Sequence, residues 1–258
     1  MIKDAVNEMI REQNGSFVVL PFLKLGVIAA CSTRKWNLNF RNQEEKKFLE
    51  SRKDFCQSLE IDVRNLAYFD QVHGREVVNI DPSLAGCGVK RKPENLLKAD
   101  GGLTKSCGIP IAIFTADCAP VFFFDPVKRA VGIVHAGWRG ASSGIIQNTV
   151  ALFTEQFQSR RSDIQIFIGP LIKLCCYVVG PEFKERFDSY VSKRENQYYF
   201  DLNGFIVSEL QRNGILPEKI IQSNLCTSCE KNYFFSYRRE GIQTGRLASI
   251  IMLLPSNK

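Results

Sequence analysis

The sequence predicts a mixed α/β fold: one domain in which a β-sheet core is flanked by helices. Three observations lead there. Short β-like runs alternate with amphipathic stretches along the chain. Several apolar runs end in glycine turns, as buried strands do. The 258 residues carry no internal repeat, low-complexity tract or linker, and they are enough to bury a sizeable core. The domain is expected to span residues 1–258, with the polar and charged residues 1–15 as a mobile N-terminal segment.

In chain order, residues 17–20 and 27–30 read as early strands. Residues 43–60 read as a helix, because Phe48, Phe55 and Leu59 share one face at helical spacing. Residues 65–69 and 76–80 read as strands flanking a bend at Gln71-Val72-His73-Gly74. Residues 109–114 form a buried strand entering Thr115-Ala116-Asp117-Cys118, and residues 121–124 form the next. Residues 130–134 enter His135-Ala136-Gly137-Trp138-Arg139-Gly140. A helix fits residues 141–158, with Ile145, Ile146, Thr149, Val150, Phe153 and Phe157 as its apolar face. Residues 164–168 are a strand stopped by Gly169-Pro170, and residues 176–179 are another. Pro181 opens a helix ending near Val191. Residues 198–202 are a strand, followed by a helix to Gln211 that Gly214 closes. Residues 247–254 are the last strand, halted by Pro255.

The formal charge of +7 favours anionic partners in general. The cations do not cluster beyond Lys90-Arg91-Lys92 and the pair Arg160-Arg161, and no helix shows a basic stripe with interleaved aromatics. Nucleic acid and membrane are therefore not expected partners, whereas a negatively charged small substrate would be drawn in. No secretory signal and no run approaching ~20 apolar residues is present, which points to a cytoplasmic protein. The nine cysteines, an odd number, read as reduced thiols in a reducing compartment.

The only two histidines sit alike, at the end of an apolar strand before a glycine turn: Val72-His73-Gly74 and Val134-His135-Ala136-Gly137. Cys118 holds a matching place. Glycine lets the chain turn and a ligand approach, and strand ends are where sites in α/β folds are built. Two nitrogens and one sulfur would leave a tetrahedral zinc one open position, as catalytic sites have. On spacing alone the plainer reading is favoured, with both histidines satisfied turn residues and Cys118 a small buried hydrophobe. Cys226-Thr227-Ser228-Cys229 could begin a second zinc site or a redox centre. A closed site would need Cys175 and Cys176 as well, and adjacent cysteines rarely both reach one ion. These four therefore read as ordinary reduced thiols.

Taken together, the motifs closely resemble the YfiH family, also called the laccase-domain or purine nucleoside phosphorylase YfiH family. The matching segments include Gln71-Val72-His73-Gly74, Ala99-Asp100-Gly101, Thr115-Ala116-Asp117-Cys118-Ala119-Pro120-Val121, Val134-His135-Ala136-Gly137-Trp138-Arg139-Gly140 and Gly169-Pro170. Further on come Cys226-Thr227, Phe235-Ser236-Tyr237-Arg238-Arg239 and Thr244-Gly245-Arg246-Leu247-Ala248-Ser249. The resemblance implies zinc (Zn2+) on His73, Cys118 and His135. It also implies phosphorolysis of adenosine, inosine and methylthioadenosine, with some adenosine deamination; purine nucleosides and inorganic phosphate are then the partners. Two departures stand out. Lys35 and Trp36 replace a glycine pair in the loop that contains Arg34, and Val178 replaces the carboxylate of the family's Cys-Tyr-Glu-Val.

For this chemistry Arg139 is the candidate phosphate ligand, placed in a glycine-rich turn before a helix. Arg34 and Arg238 are further candidate substrate contacts, and Arg246 matches a family segment. Cys118 and Asp117 join Arg139 as candidate catalytic residues, Asp117 either as an acid/base group or as the partner of a histidine N–H. Copper (Cu2+) can compete for the same donors, and the family is often labelled a copper polyphenol oxidase. Two histidines cannot, however, build the oxygen-reducing cluster of a true laccase. A metal-free cysteine hydrolase, with Cys118 as nucleophile and a histidine as base, is a second alternative; hydrolysis of a cell-wall precursor is a related option. A non-catalytic zinc-binding module is a third. The His-x-Glu signature of zinc cytidine deaminases is absent.

Overall fold

Every residue of the strand Ala119–Asp125 is buried, on both faces of the pleat, and this sets the architecture. Alternate side chains of a strand face opposite ways. Phe122 and Phe124 enter a core shared by two sheets, while Val121 and Phe123 enter a second core under helices. The computed structural model describes residues 9–39, 44–90 and 95–255. Numbered in chain order, the first sheet runs β1 (Ile10–Gln13), β2 (Ser16–Val19), β3 (Val27–Ser32), β14 (Leu247–Leu253), β6 (Ile111–Thr115), antiparallel throughout. The second runs β13 (Ile220–Gln222), β9 (Gln165–Ile168), β7 (Ala119–Asp125), β8 (Ala130–Ala136), β5 (Gly101–Thr104), β4 (Val77–Asn79). Its two outermost pairings are parallel and the inner ones antiparallel. A small antiparallel sheet joins β10 (Val178–Val179), β12 (Gln197–Phe200) and β11 (Val191–Arg194).

The helices are α1 (Leu20–Leu23), α2 (Glu45–Ser58), α3 (Cys87–Lys90), α4 (Trp138–Ser142), α5 (Ile145–Phe157), α6 (Glu182–Phe187), α7 (Leu202–Arg212) and α8 (Tyr237–Glu240). α2 covers the outer face of the first sheet, its Phe48, Phe55 and Cys56 joining Ile28, Ala30 and Ile250 in one cluster. α5 and α7 cover the outer face of the second sheet, where Phe153 and Ile206 join Val134 and Ile166. The layers are thus helix, sheet, sheet, helices. A strand buried on both faces needs apolar residues at consecutive positions, which is why β7 and β14 are mostly apolar, interrupted within β14 only by Ser249 and closed in β7 by Asp125. Among the described residues no helix is long and apolar enough to cross a membrane.

Most expected elements are present, and the mixed α/β class holds. The helix expected over 141–158 is two: α4, then α5, parted by Gly144 at φ 95°. That left-handed residue breaks the helical hydrogen-bond ladder and suits only glycine well. The apolar face of α5 is the one expected, Ile145, Ile146, Thr149, Val150, Phe153 and Phe157. Residues 65–69 are not a strand. Val63–Asn65 is a 3-10 turn capped by Asp62, and only Ala67 bridges to Ile111. The strand expected over 176–179 shrinks to Val178–Val179, because Lys173–Tyr177 curls into a turn. The helix after Pro181 stops at Phe187, and Val191 begins β11. Of residues 1–15, Ile10–Gln13 are β1, paired with β2, and residues 1–8 lie outside the described residues. Of the basic run, Arg91 and Lys92 also lie outside them.

Phe153 is fully buried between Phe123 and Phe157, whose ring centroids lie 5.9 and 5.6 Å away. Phe153→Ala should cost about 3–5 kcal/mol. Thermal denaturation should show a midpoint lowered by roughly 10 °C; an unchanged midpoint would contradict the placement of α5 on the sheet.

Candidate active site

The chain leaves the first sheet at the end of β6 and enters the second at the start of β7, so Ala116, Asp117 and Cys118 cross between sheets. Asp117 bridges this gap at φ 92°, unusual for a side-chain-bearing residue. Such backbone persists only where its surroundings hold it. Here the Asp117 carbonyl accepts the Ile172 N–H at 2.9 Å. Its carboxylate accepts the Thr227 hydroxyl at 2.6 Å and the Arg238 backbone N–H at 2.7 Å. The result aims Cys118 at the mouth of the second sheet.

The two histidines are brought to that sulfur by one carboxylate. Asp100, fully buried just before β5, accepts the backbone N–H groups of Val72, His73 and Gly74 at 3.2, 3.0 and 2.6 Å. The same carboxylate lies 2.8 Å from His135 Nδ1, and the Asp100 carbonyl accepts the His135 N–H at 2.7 Å. Gln71 adds an anchor, exchanging two hydrogen bonds with the backbone of Phe114 in β6 at 2.9 and 2.7 Å. His73 therefore sits at φ 59° in a bend held from below, not at a strand end. His135 lies near the end of β8. The partner of a histidine ring is thus Asp100, whereas Asp117 ties the crossing to Thr227 and Arg238.

The ligand-capable atoms of His73, Cys118 and His135 all lie within 4.8 Å of one another. The two imidazole rings are 4.7 Å apart and nearly perpendicular. Gly137 closes the space: a Cβ there would stand 2.7 Å from the Cys118 sulfur. Burial pushes the Cys118 thiol up, but the His135 charge and hydrogen bonds from both imidazoles outweigh it and bring it down to about 6. Burial likewise disfavours a charged His135, yet Cys118 and Asp100 raise it to about 9. Asp100 is held below the ordinary carboxylate range, its burial opposed by His135 and the backbone N–H donors. These donors fit a zinc-type cation. The sulfur is poised as a thiolate, and Asp100 fixes the tautomer of His135 by engaging Nδ1. Two nitrogens and a sulfur leave one position open to a substrate or water.

A cavity of about 520 Å³ opens over this trio. Its lining includes Phe114, Asp117, Arg139, Tyr177, Tyr237 and Arg238. Arg139 lies inside α4, not in a turn before a long helix, and its guanidinium rests 4.4 Å above the Trp138 ring. A five-residue helix contributes little dipole, so the charge of Arg139 itself is what this wall presents. Arg238 lies over Tyr177 and donates to the carbonyl of Val178. Arg246 lines the cavity too, donating to the carbonyls of Thr244 and Gly245. Arg34 is not among the residues lining it; its guanidinium donates to the Lys231 carbonyl at 2.6 Å and to Glu240 at 3.2 Å. Sequence reasoning gave no role to Asp100, although Ala99-Asp100-Gly101 was among its motifs. It also passed over Tyr177 and Tyr237 as cavity walls.

Residues 22–254 match the family model described as multi-copper polyphenol oxidoreductase laccase. A purine nucleoside phosphorylase of Clostridium acetobutylicum is 31% identical over 221 residues, covering 84% of this chain and 86% of that protein. The purine nucleoside phosphorylase YlmD of Bacillus subtilis is 31% identical over 81% of this chain and 78% of its own. Among solved structures, the hypothetical protein YfiH of Bacillus licheniformis superposes with a TM-score of 0.90 at 29% identity, covering 95% of this chain and 99% of that one. YlmD of Geobacillus stearothermophilus gives 0.88 at 27%, covering 96% and 99%.

Two outcomes test the geometry. Asp100→Asn replaces an acceptor of backbone N–H groups with a side chain that is partly a donor, and zinc affinity measured by competition with a chelator should fall about 10–100-fold. Unaltered affinity would remove Asp100 from its positioning role. In metal-stripped protein, alkylation of Cys118 should rise with pH through a midpoint of about 6, since a lowered thiol is ionised from that pH upward. A midpoint near the free-thiol value of ~8.5 would contradict the pairing with His135.

Proposed function

This chain belongs to the multi-copper polyphenol oxidoreductase laccase family, and from that membership we propose that it is a zinc-dependent purine nucleoside phosphorylase. Adenosine, inosine and S-methyl-5′-thioadenosine are its proposed substrates, with adenosine deamination as a side activity. One observation carries the reading: three metal-type donors converge at the floor of a cavity that also presents Arg139 and aromatic walls. Relatives of similar length that bear the name purine nucleoside phosphorylase support it.

Phosphorolysis breaks the bond between the sugar's anomeric carbon and the purine nitrogen. The bonding pair leaves with the purine, the sugar passes through a state of oxocarbenium character, and a phosphate oxygen forms the new bond. The residues divide this work. Arg139 offers a planar fork to two phosphate oxygens, and the face of Trp138 steadies it from below. Phe114, Tyr177 and Tyr237 offer flat apolar surfaces for a purine, in a cavity of ordinary ligand size. Asp117 acts as a positioning residue, since its carboxylate holds the Arg238 segment at the rim. His73, Cys118 and His135 would hold zinc, which supplies a Lewis acid to a substrate oxygen when bound.

The family description speaks of several coppers, but the chain has two histidines in all, too few for a multinuclear oxygen-reducing centre. A metal-free reading, with Cys118 as nucleophile, draws on the thiolate–imidazolium pairing with His135. Turnover in chelator-stripped protein, abolished by alkylation, would favour it over the zinc reading.

Incubation with a nucleoside panel, with and without phosphate, should release free purine and sugar 1-phosphate only when phosphate is present, read by mass spectrometry. Release without phosphate, or none at all in zinc-loaded protein, would overturn the proposal. Arg139→Ala should raise the KM for phosphate roughly 10–100-fold, the loss of one or two charge-assisted hydrogen bonds, while zinc content is unchanged. Cys118→Ala should lose the zinc of this site and turnover together.

A further inference from the structure

Outside the cavity the chain gathers four cysteines that the proposed reaction does not use. The sulfurs of Cys175, Cys176, Cys226 and Cys229 all lie within 4.8 Å of one another. Cys229 is 3.6 Å from Cys175 and 3.4 Å from Cys176. A single tetrahedral zinc with Zn–S bonds of ~2.3 Å sets its sulfurs ~3.8 Å apart, so the four already mark out the corners of such a site. From this geometry we propose a second metal site in this protein: one zinc ion closed off by Cys175, Cys176, Cys226 and Cys229. The inference does not depend on the reaction assigned to the cavity.

Adjacent cysteines can both serve because the chain is not extended there. In a strand, Cys175 and Cys176 would face opposite sides. Instead the N–H groups of Cys176 and Tyr177 both bond to the Lys173 carbonyl, at 2.9 and 3.0 Å, and the resulting turn swings both sulfurs to one side. The second pair is built as a knuckle. The Glu230 N–H returns to the Cys226 carbonyl at 3.0 Å, and the backbone N–H groups of Lys173, Ser228 and Cys229 face the Cys226 sulfur. Such donors offset the negative charge that thiolate ligands bring. Arg239 clamps the knuckle, donating to the carbonyls of Thr227 and Ser228 at 2.9 and 2.8 Å.

The two loops are also laced by the backbone, with Leu171 and Cys226 forming a parallel bridge. Four thiolates with no open position make a structural site, not a catalytic one. Sulfur spacings this short leave no room for an iron–sulfur cluster and suit a mononuclear cation. A disulfide would need a pair at ~2.0 Å, whereas Cys229 is nearly equidistant from two partners. The proposed site joins the loop carrying Ile172 and Tyr177 to the segment carrying Thr227, Tyr237 and Arg238, both of which wall the cavity. Its role is to fix the spacing of that wall.

The test is zinc content per chain of full-length protein purified with zinc present, measured by plasma mass spectrometry. Wild type is expected to hold two equivalents, and Cys118→Ala, which empties the cavity site, is expected to keep one. Adding Cys229→Ser to Cys118→Ala should remove that one. Should the double variant fail to fold, the Cys118→Ala protein loaded with cobalt in place of zinc answers the same question, since four thiolates give intense charge-transfer absorption. Folded Cys118→Ala that binds neither zinc nor cobalt would overturn the proposal. So would zinc content unchanged by Cys229→Ser, or an intact mass showing a disulfide among these cysteines in freshly isolated protein. Loss of nucleoside phosphorolysis alone would leave all three readouts unmoved, so the two proposals fail separately.

Discussion

The geometry of the cavity depends on the buried carboxylate of Asp100. A carboxylate taken out of water is costly unless its lone pairs are met, and here three backbone N–H groups and an imidazole meet them. That requirement is what shapes the site. To satisfy Asp100, the His73 loop must curl with its N–H groups inward, which forces His73 into a left-handed backbone conformation. The same charge fixes the ring of His135 by one nitrogen and frees the other for the Cys118 sulfur. One interaction thus brings two side chains, from different parts of the chain, to within 4.8 Å of a third.

The place of the Cys118 sulfur is set by topology. Cys118 lies where the chain steps from one sheet to the other, and the strain of that step is carried by Asp117. The bonds from Asp117 to Thr227 and Arg238 then link the cavity floor to the segment that also carries Cys226 and Cys229. The open three-donor cluster and the closed four-cysteine cluster are therefore two ends of one connected wall. On the two proposals made above, the first would meet a substrate and the second would hold the wall still, as open and closed coordination imply.

Much of this was legible in the sequence, and what was not has physical reasons. α5 is long and periodic, so its buried face could be read residue by residue. β7 and β14 are sandwiched, so their apolar runs stood out. β1 and β11 each bury only one residue of four and offer no alternation to read. The trio His73, Cys118 and His135 came from the resemblance of the motifs, because three donors scattered singly along the chain leave no spacing to read and on their own favour satisfied turn residues. Asp100 was not legible, because a carboxylate serving backbone N–H groups leaves no pattern in residue types. Arg34 was expected at the substrate from its loop; in the structure its guanidinium is held by the Lys231 carbonyl and Glu240, partners that residue order does not reveal. The four cysteines were set aside on the premise that adjacent cysteines rarely both reach one ion, which the turn at Lys173 removes.

The claim beneath all of this is that His73, Cys118 and His135 grip one cation above Asp100. An anomalous difference map at the zinc absorption edge, from crystals grown with zinc, addresses it without reference to activity. The account predicts a peak enclosed by those three side chains, within bonding distance of two nitrogens and the sulfur. Crystals in which the three side chains are ordered and the peak is missing from their midst would contradict it.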